Sequence, residues 1–197
     1  QELQHRVANS LQIIASVLMQ SAKRVQSEET RLHLHDAHSR VMSVAMLQKQ
    51  LAVTDLQSVE LRPYLTDLCR SISASMIDDP HRLTLETKVD DTSTSSDVSV
   101  SMGLIVTELV INAIKHAFSN RAAGGRITVS FKANQGAWLL SVWDNGAGMP
   151  VGKDQRKPGL GTGIVEALAR QLNASVTVLD ANPGTRAEVR RERVEAI

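Results

Sequence analysis

The chain has 197 residues, which is enough for one large domain or two small ones. Its hydrophobic fraction of 42% supports a sizeable core, and its 22 basic and 21 acidic residues give a net charge of +1. Because the two signs of charge are mixed along the chain and aromatic residues make up only 3%, the composition argues against a nucleic-acid-binding protein.

Residues 1–25 have the apolar period of an amphipathic helix. The apolar positions recur at alternating steps of three and four, which is typical of a helix that packs in a bundle: Leu3, Val7, Leu11, Ile14, Leu18, Ala22 and Val25. At about 100° per residue, His5 lies on the opposite face, with Asn9 and Gln12 on its own side. We therefore expect His5 to face solvent, although an ordinary surface histidine would show the same pattern.

Residues 28–53 predict a second helix, with Ser27 as its candidate N-cap. Its buried side is expected to hold Leu34, Ala37, Val41, Val44 and Leu51. Two long helices with a short connection predict an antiparallel hairpin. Each carries a wider apolar stripe than one partner can cover, so we expect a second hairpin in a homodimer, with a monomer as the alternative.

Three further histidines lie on the second predicted helix: His33, His35 and His38. They lack the i, i+4 spacing that places two metal ligands on one helical face, and no acidic or cysteine ligand set accompanies them. We interpret them as solvated or packing side chains.

The single cysteine, Cys69, excludes an intrachain disulfide. Its apolar neighbours Leu65, Leu68 and Ile72 predict a buried structural thiol, and this usage is typical of a reducing compartment. The sequence has no apolar run of 18 residues and no signal peptide, so we expect this part of the protein to be cytoplasmic. The chain begins inside a helical pattern, and we expect an upstream sensor region that is missing here and that could tether the whole protein to a membrane.

After residue 53 the pattern changes to alternating helices and strands. The predicted elements are helices over 59–76, 98–120 and 163–173, and strands over 82–89, 125–133, 137–146, 174–180 and 184–192. A polar loop is expected over 90–97 and a turn at Gln135 and Gly136. The order predicts an α+β fold in which the hairpin precedes a mixed, largely antiparallel sheet with helices on one face. We place the domain boundary between residues 55 and 56.

The stretch 145–161 is long and rich in glycine, bracketed by "DNGAG" and "GLGTG". A loop of this length inside a compact domain is usually functional or disordered, and its glycines let backbone N–H groups approach a ligand closely. The chain has no GxxxxGK[ST] phosphate loop. "GLGTG" precedes a helix but follows no strand of a βαβ unit, which argues against a dinucleotide-binding fold.

The helix predicted around residues 101–118 has one polar face. Glu108, Asn112 and either Lys115 or His116 follow one another at helical spacing on it. A carboxylate beside a carboxamide suits a hydrated Mg²⁺ ion, and a cation one turn further suits phosphate. The alternative is an ordinary solvated face.

These motifs together resemble a known superfamily. "TELVINAIKHAF" resembles the N box, "VWDNGAGMP" the G1 box and "GLGTGIVEALARQL" the G2 box of the GHKL ATPases, which include histidine kinases, DNA gyrase, mismatch-repair ATPases and a heat-shock chaperone. The order and spacing match across roughly residues 60–190. "LQHRVANSLQIIASVLMQ" resembles the phosphoacceptor helix of the sensor histidine kinases whose H box reads H-R-V-x-N-x-L-Q.

The resemblance implies a dimerisation and phosphotransfer hairpin over 1–55 and a catalytic ATP-binding domain with a flexible lid over 56–197. It further implies that Asp144 accepts the adenine amine, that Asn112 ligates Mg²⁺ and that Glu108 orders water or assists proton transfer. Lys115 or His116 would meet phosphate, and Thr185 would support Asp144 through water. The lid residues expected to bring main-chain amides to the phosphates are Gly146, Gly148, Gly159, Gly161, Thr162 and Gly163.

Two departures from the related kinases affect this interpretation. Many sensor kinases have an acidic residue directly after the phosphoacceptor, whereas this chain has Arg6, so the general base must lie elsewhere or the imidazole must be oriented by Glu2, Asn9 or Glu108. Arg6 could instead stabilise the moving phosphoryl group. The chain also resembles kinases with a His–Trp–Glu signature but has Asn145 in place of the glutamate, which puts it in a neighbouring subfamily.

We therefore expect a sensor histidine kinase core that uses Mg-ATP to phosphorylate His5 and passes the group to an aspartate on a response regulator receiver domain. One alternative is a phosphotransfer or scaffold protein with a degenerate ATP site, against which the intact Glu108, Asn112 and Asp144 argue. Another is a GHKL ATPase that works by clamp closure, against which the H box argues.

Overall fold

The computed structural model describes residues 2–53, 58–118, 124–148 and 160–193, without the side chains of 2–6, 8, 46–53, 160 and 161. The chain divides into two compact units. The first comprises Gln1–Asp78 and Ser93–Thr107, and the second comprises Asp79–Thr92 and Glu108–Ile197. The boundary predicted between residues 55 and 56 lies outside the described residues and stays a prediction.

The first unit begins with the helical hairpin. Helix α1 spans Glu2–Arg24 and helix α2 spans Glu28–Val53. The Thr30 amide donates to the Ser27 hydroxyl at 3.3 Å, which is the contact expected of an N-cap. Lys23 and Arg24 lie in the last turn of α1, and Glu28 lies in the first turn of α2. At both helix ends the side-chain charge therefore interacts favourably with the helix dipole.

The packing side of α1 agrees only in part with the predicted stripe, which included Ala22 but not Ala15. Ala15 and Ala22 are buried, whereas Val7 is 40% exposed and Ile14 is 48% exposed. Together with the exposed Ile13 and Val17, the latter two residues form an apolar surface that the hairpin itself does not cover. The side chains that α1 buries most completely are therefore small alanines rather than the large apolar residues of the stripe.

Helix α2 also departs from the expected pattern. The predicted positions Leu34, Ala37, Val41 and Val44 are only half-buried, and Leu51 lies outside the described side chains. The most buried side chains on this helix are small or polar: Asp36, Ser39, Ser43 and Ala45. Helix α2 contacts both α1 and α3, so its buried surface is not the single stripe of an isolated hairpin.

Two short strands, helix α3 (Leu61–Met76) and the first part of helix α4 (Ser96–His116) complete the first unit. Strand β1 (Ser58–Glu60) pairs antiparallel with β3 (Ser93–Ser95). In the chain, β1 directly precedes α3, and β3 directly precedes α4. The expectation of a plain loop over 90–97 and of a helix from 59 was therefore incomplete. Cys69 is buried on α3, as predicted, and burial raises the pKa of its thiol to about 12.

The second unit contains a five-stranded sheet. Its strands are β2 (Leu83–Val89), β4 (Gly125–Asn134), β5 (Ala137–Asp144), β6 (Ser175–Asp180) and β7 (Thr185–Arg191), in the order β2-β4-β5-β7-β6. Only the β2–β4 pair is parallel. The predicted turn at Gln135 and Gly136 has positive φ at both residues, as a tight hairpin requires. The α+β class and the mixed, largely antiparallel sheet are thus confirmed.

One face of the sheet forms the core of the second unit. Its buried side chains alternate along the three central strands: Ile127, Val129, Phe131, Leu140, Val142, Ala187 and Val189. The last residues of α4 and helix α5 (Leu160–Gln171) supply further apolar side chains. Among the helices that the structure describes, α4 has the length and composition to cross a membrane, yet 61% of that apolar window is buried inside the protein, as in a core helix.

Candidate functional site

Asp144 ends strand β5 and is only 5% exposed. Its Oδ1 accepts a hydrogen bond from the Gly146 amide at 2.9 Å and from the Thr185 amide at 3.3 Å. Burial raises the pKa of the carboxyl group, while the two amide donors oppose that rise. The result is a buried, oriented carboxyl group at the end of the sheet.

Two glycines let the main chain close tightly around Asp144. A Cβ on Gly146 would lie 2.3 Å from the carbonyl oxygen of Ala117. A Cβ on Gly184 would lie 1.8 Å from the carbonyl oxygen of Asp144, and Gly184 has a φ of +95°. Larger residues at these two positions would displace the main chain that orients the carboxylate.

A cleft lies against Asp144 within the second unit. Polar residues, a glycine and two acidic residues contribute to its lining: Asn112, His116, Asp144, Gly148, Thr162, Glu166 and Thr185. Apolar side chains form the rest of the lining: Leu109, Ala113, Ala117, Val142, Val165, Val176, Val178 and Ala187. A mostly apolar cleft with a few convergent polar groups is the usual form of a small-molecule site.

The polar face predicted on α4 is only partly in this cleft. Asn112 and His116 line it, so His116 rather than Lys115 is the basic residue of this pair on the cleft side. Glu108 is 2% exposed and, like Lys115, is not part of the lining, although both have polar interactions. Of the residues described as lining the cleft, Asn112 is therefore the one that offers the predicted Mg²⁺ a carboxamide oxygen.

The predicted lid residues are only partly described. Gly148 has a φ of +76° and lines the cleft, and Thr162 lines it from the first turn of α5. Gly163 follows on the same helix, and a Cβ there would meet nothing within 4 Å. Gly161 belongs to α5, whereas Gly159 lies outside the described residues.

Several lining residues were not anticipated from the sequence. Val142 and Ala187 face the cleft because each lies two residues from a predicted site residue on the same strand, Asp144 and Thr185 respectively. Glu166 shares a helix face with Thr162, four residues earlier. A strand repeats its facing every two residues and a helix about every 3.6 residues, so the second residue of each pair could have been predicted once the first was assigned to the site.

The H box residues lie on the first helix. His5 and Arg6 belong to α1, but their side chains, like that of Glu2, are outside the described ones. Asn9 is exposed, which agrees with the polar face predicted for this helix. Solvent exposure of His5 itself stays a prediction.

The donor set of the cleft fits a magnesium ion that arrives with a phosphate ligand. No group of three or more His, Cys, Asp or Glu side chains suited to hold a metal occurs among the described residues. Mg²⁺ commonly keeps several waters and binds through one or two protein oxygens plus substrate phosphates. Asn112 supplies an oxygen of that kind.

Comparisons with known proteins match both parts of the chain. Residues 2–76 match the family described as histidine kinase, and residues 97–193 match the family described as histidine kinase-, DNA gyrase B- and HSP90-like ATPase. The sensor histidine kinase PdtaS of Mycobacterium tuberculosis is 33% identical over 186 residues, which cover 91% of this chain and 36% of that protein. Blue-light-activated histidine kinase 2 of Erythrobacter litoralis is 28% identical over 194 residues, covering 93% and 54% respectively.

A solved structure agrees with these matches. The histidine kinase domain of an Erythrobacter litoralis blue-light activated histidine kinase aligns with a TM-score of 0.69 and 25% identity, covering 96% of this chain and 88% of that one. The chain spans about a third to a half of the length of the curated relatives above. It therefore belongs to the histidine kinase family, as a sensor histidine kinase core in which a histidine kinase region precedes a GHKL-type ATPase region.

Proposed function

We propose that this core binds ATP in the cleft beside Asp144 and transfers the γ-phosphoryl group to His5. The observation that carries the proposal is the buried Asp144 carboxyl group, held by two main-chain amides in a cleft that Asn112 and His116 also line. A histidine kinase region and an ATPase region in one chain support the same reaction.

The cleft suits an adenine base at its Asp144 end. An ionised carboxylate only accepts hydrogen bonds, and adenine presents an amine donor where guanine presents a carbonyl acceptor. The apolar side chains of Val142, Val165 and Ala187 provide a surface for the base. We assign the choice of ATP over GTP to Asp144, with Thr185 beside it.

The phosphates then extend towards the end of α4 and the start of α5. Asn112 offers a carboxamide oxygen, His116 a donor and Thr162 a hydroxyl on this side of the cleft. A magnesium ion held there would neutralise phosphate charge. The main chain at Gly146, Gly148, Gly161 and Gly163, with Gly159, is assigned to the lid over the phosphates.

Phosphoryl transfer requires little covalent chemistry from the protein. An imidazole nitrogen of His5 forms a bond to the γ-phosphorus as the bond to the bridging oxygen of ADP breaks, and positioning lowers the barrier. Because Arg6 replaces the acidic neighbour found in many sensor kinases, we assign it to the charge on the moving phosphoryl group. Glu2, Asn9 and Glu108 stay candidates for orienting the imidazole or accepting its proton.

The phosphoryl group on His5 would pass to an aspartate of a response regulator receiver domain. The named relatives are sensor histidine kinases, and a sensor region outside this chain fits the share of their length that it spans. The exposed Val7, Ile13, Ile14 and Val17 on α1 support a homodimer through the hairpin. A reducing, cytoplasmic location fits the free, buried Cys69.

Two other functions make different use of the same residues. A scaffold with a degenerate ATP site would not need Asn112, Asp144 and Thr185 to meet in one cleft. A GHKL ATPase that works by clamp closure would hydrolyse ATP without forming phosphohistidine, and the histidine kinase region over 2–76 argues against it.

Incubation of the chain with γ-labelled ATP and Mg²⁺ separates these three functions. The kinase predicts a labelled protein whose label is lost in acid and kept in base. If the chain is a scaffold, we expect neither labelled protein nor free phosphate. If it is a clamp ATPase, we expect free phosphate without labelled protein. Chelation of the metal is the control, because it should abolish labelling without changing the melting temperature by more than a few degrees.

A further inference from the structure

Asn145 connects the turn after β5 to the beginning of β4. Its side-chain oxygen accepts a hydrogen bond from the Arg126 amide at 2.7 Å, and its side-chain nitrogen donates to the Gly124 carbonyl at 3.1 Å. Its own amide donates to the Arg126 carbonyl at 3.1 Å. Three hydrogen bonds between Asn145 and the main chain of Gly124 and Arg126 thus hold the beginning of β4.

The side chain of Asn145 takes over main-chain pairing at the beginning of β4. The paired ladder between β4 and β5 ends at Ile127 and Asp144, so the next antiparallel partners would have come from main chain beyond Asp144. The Asn145 amide still donates to the Arg126 carbonyl, but the Arg126 amide donates to the side-chain oxygen of Asn145, and the side-chain nitrogen donates to the Gly124 carbonyl. The main chain therefore leaves the ladder at Asn145, whose side chain continues the pairing with β4. This release lets residues 146–148 turn towards the cleft.

The released main chain is fixed again at once. The Ala147 amide donates to the Ala117 carbonyl at 2.9 Å, and Gly146 packs so closely on Ala117 that a Cβ would not fit. The turn 145–147 therefore bonds on one side to the start of β4 and on the other to the residue that follows α4. Asp144, whose carboxylate accepts the Gly146 amide, lies at the centre of this arrangement.

We propose that Asn145 is a positioning residue for nucleotide binding, which acts by holding Asp144 and the main chain of Gly146–Gly148 in place. The inference rests on the proposed function, because it assigns the purpose of this turn to ATP. A carboxamide is needed, since a carboxylate at this position accepts from Arg126 but has no donor for the Gly124 carbonyl. The glutamate of the His–Trp–Glu kinases would therefore not be equivalent here.

The test compares Asn145→Ala and Asn145→Asp with Asn134→Ala, a control at the exposed opposite end of the β4–β5 hairpin. ATP and GTP affinities are measured by titration well below the melting temperature of every variant. Exchange of the Arg126 amide is followed by NMR. We expect Asn145→Ala to weaken ATP binding about threefold to tenfold, to narrow the preference for ATP over GTP and to speed Arg126 exchange, while Asn134→Ala changes none of these.

The ATP affinity of Asn145→Asp should be reduced to a value between those of the unmodified chain and Asn145→Ala. Its Arg126 amide should still be protected from exchange. Equal ATP affinity and equal ATP preference in all variants, whether or not melting temperatures fall, would overturn the inference and leave Asn145 a structural residue. An unmodified chain that binds no ATP would overturn the proposed function. Even then, amide exchange tests the positioning geometry without ATP. If the Arg126 amide exchanges no faster in Asn145→Ala than in the unmodified chain, Asn145 does not hold the beginning of β4.

Discussion

The carboxyl group of Asp144 is subject to two opposing influences. Burial disfavours its charged form, whereas amide donors favour it, and the pKa lies above its usual value because burial prevails. Both amide bonds go to Oδ1, so Gly146 and Thr185 hold this oxygen of the carboxyl group in place. The proposed selection of ATP over GTP therefore rests on this one side chain rather than on the shape of the whole cleft.

Asp144→Asn tests that assignment with almost no change in size. The amide keeps an acceptor oxygen and adds a donor that can face a guanine carbonyl. We expect ATP binding to weaken by at least about tenfold, since a charge-assisted hydrogen bond is lost, and the preference for ATP over GTP to shrink. Unchanged affinity and unchanged preference in a titration would show that Asp144 only ends its strand, a common place for aspartate before a turn.

We expect His38 on α2 to make the stability of the first unit depend on pH. Within the described part of the chain, Nδ1 of His35 and Nδ1 of His38 are buried without a hydrogen-bond partner. Burial first, and then the charge of His35, lower the pKa of His38 below its ordinary value of 6.5. Because the folded state binds this proton less tightly than the unfolded chain, stability is retained above about pH 6.5 and declines as the pH falls below that value.

We therefore expect the melting temperature to decrease between about pH 7 and pH 5, and to decrease less in His38→Gln. His33→Gln is the matched control, because His33 lies on the same helix with a 71% exposed side chain. Melting curves at several pH values measure the difference. An identical pH dependence in His38→Gln and in the unmodified chain would contradict the assignment.

Among the elements, α3 and α4 show how one glycine accommodates a large side chain. Tyr64 on α3 is 1% exposed, and its hydroxyl donates to the Ser43 carbonyl of α2 at 3.4 Å. A Cβ added to Gly103 of α4 would lie 1.9 Å from that hydroxyl and 2.8 Å from Cζ of the same ring. Gly103 therefore leaves the space in which Tyr64 joins three helices of the first unit.

Gly103→Ala should destabilise the protein by about 1–3 kcal/mol through overpacking. The sign is informative, because helix propensity alone predicts a gain of about 1 kcal/mol when glycine becomes alanine inside a helix. The same substitution should cost less in a Tyr64→Phe background, which lacks the clashing hydroxyl. Denaturant unfolding of the four proteins in this cycle measures the coupling, and a stabilised Gly103→Ala single variant would disprove the packing.

Helices and strands with a strong period were the most predictable elements. The limits of α2 and the turn at Gln135 were predicted correctly, since caps, turns and apolar periods are local properties of the sequence. Strand β3 was missed because "DDTSTSSD" has the composition of a loop, and its pairing with β1 depends on residues more than 30 positions away. The packing side of α1 was wrong in part, because the sequence shows an apolar stripe but not which part of it a partner helix covers.

The cleft was predictable to the extent that its residues share an element. Asn112 and His116 follow from one helix face, and Asp144 with Gly148 from one turn. The burial of Glu108 was not predictable from the same helix face, because it depends on what packs against that side of α4. The contribution of Thr185 to Asp144 through its amide likewise required the pairing of strands that are distant in sequence.

At the scale of the whole molecule, the chain is organised as two compact units that share one helix. Residues 96–107 of α4 group with the hairpin, and residues 108–116, which include Asn112, group with the sheet. The exposed apolar side chains of α1 leave the hairpin suited to a second copy. Light scattering on the purified chain is expected to give twice the mass of the chain, and the mass of a single chain would contradict the homodimer.

The proposed kinase reaction is tested most directly by the residue on which the phosphoryl group arrives. The chain is incubated with Mg-ATP, digested at neutral to alkaline pH to preserve phosphohistidine, and the modified peptide is sequenced by mass spectrometry beside His5→Gln. We predict a phosphoryl group on His5. In the variant we predict no modified peptide but an ATP affinity within about twofold of the original, since the described residues that line the cleft include none from the hairpin. Phosphorylation of the variant, or of His33, His35 or His38 in the unmodified chain, would contradict the account.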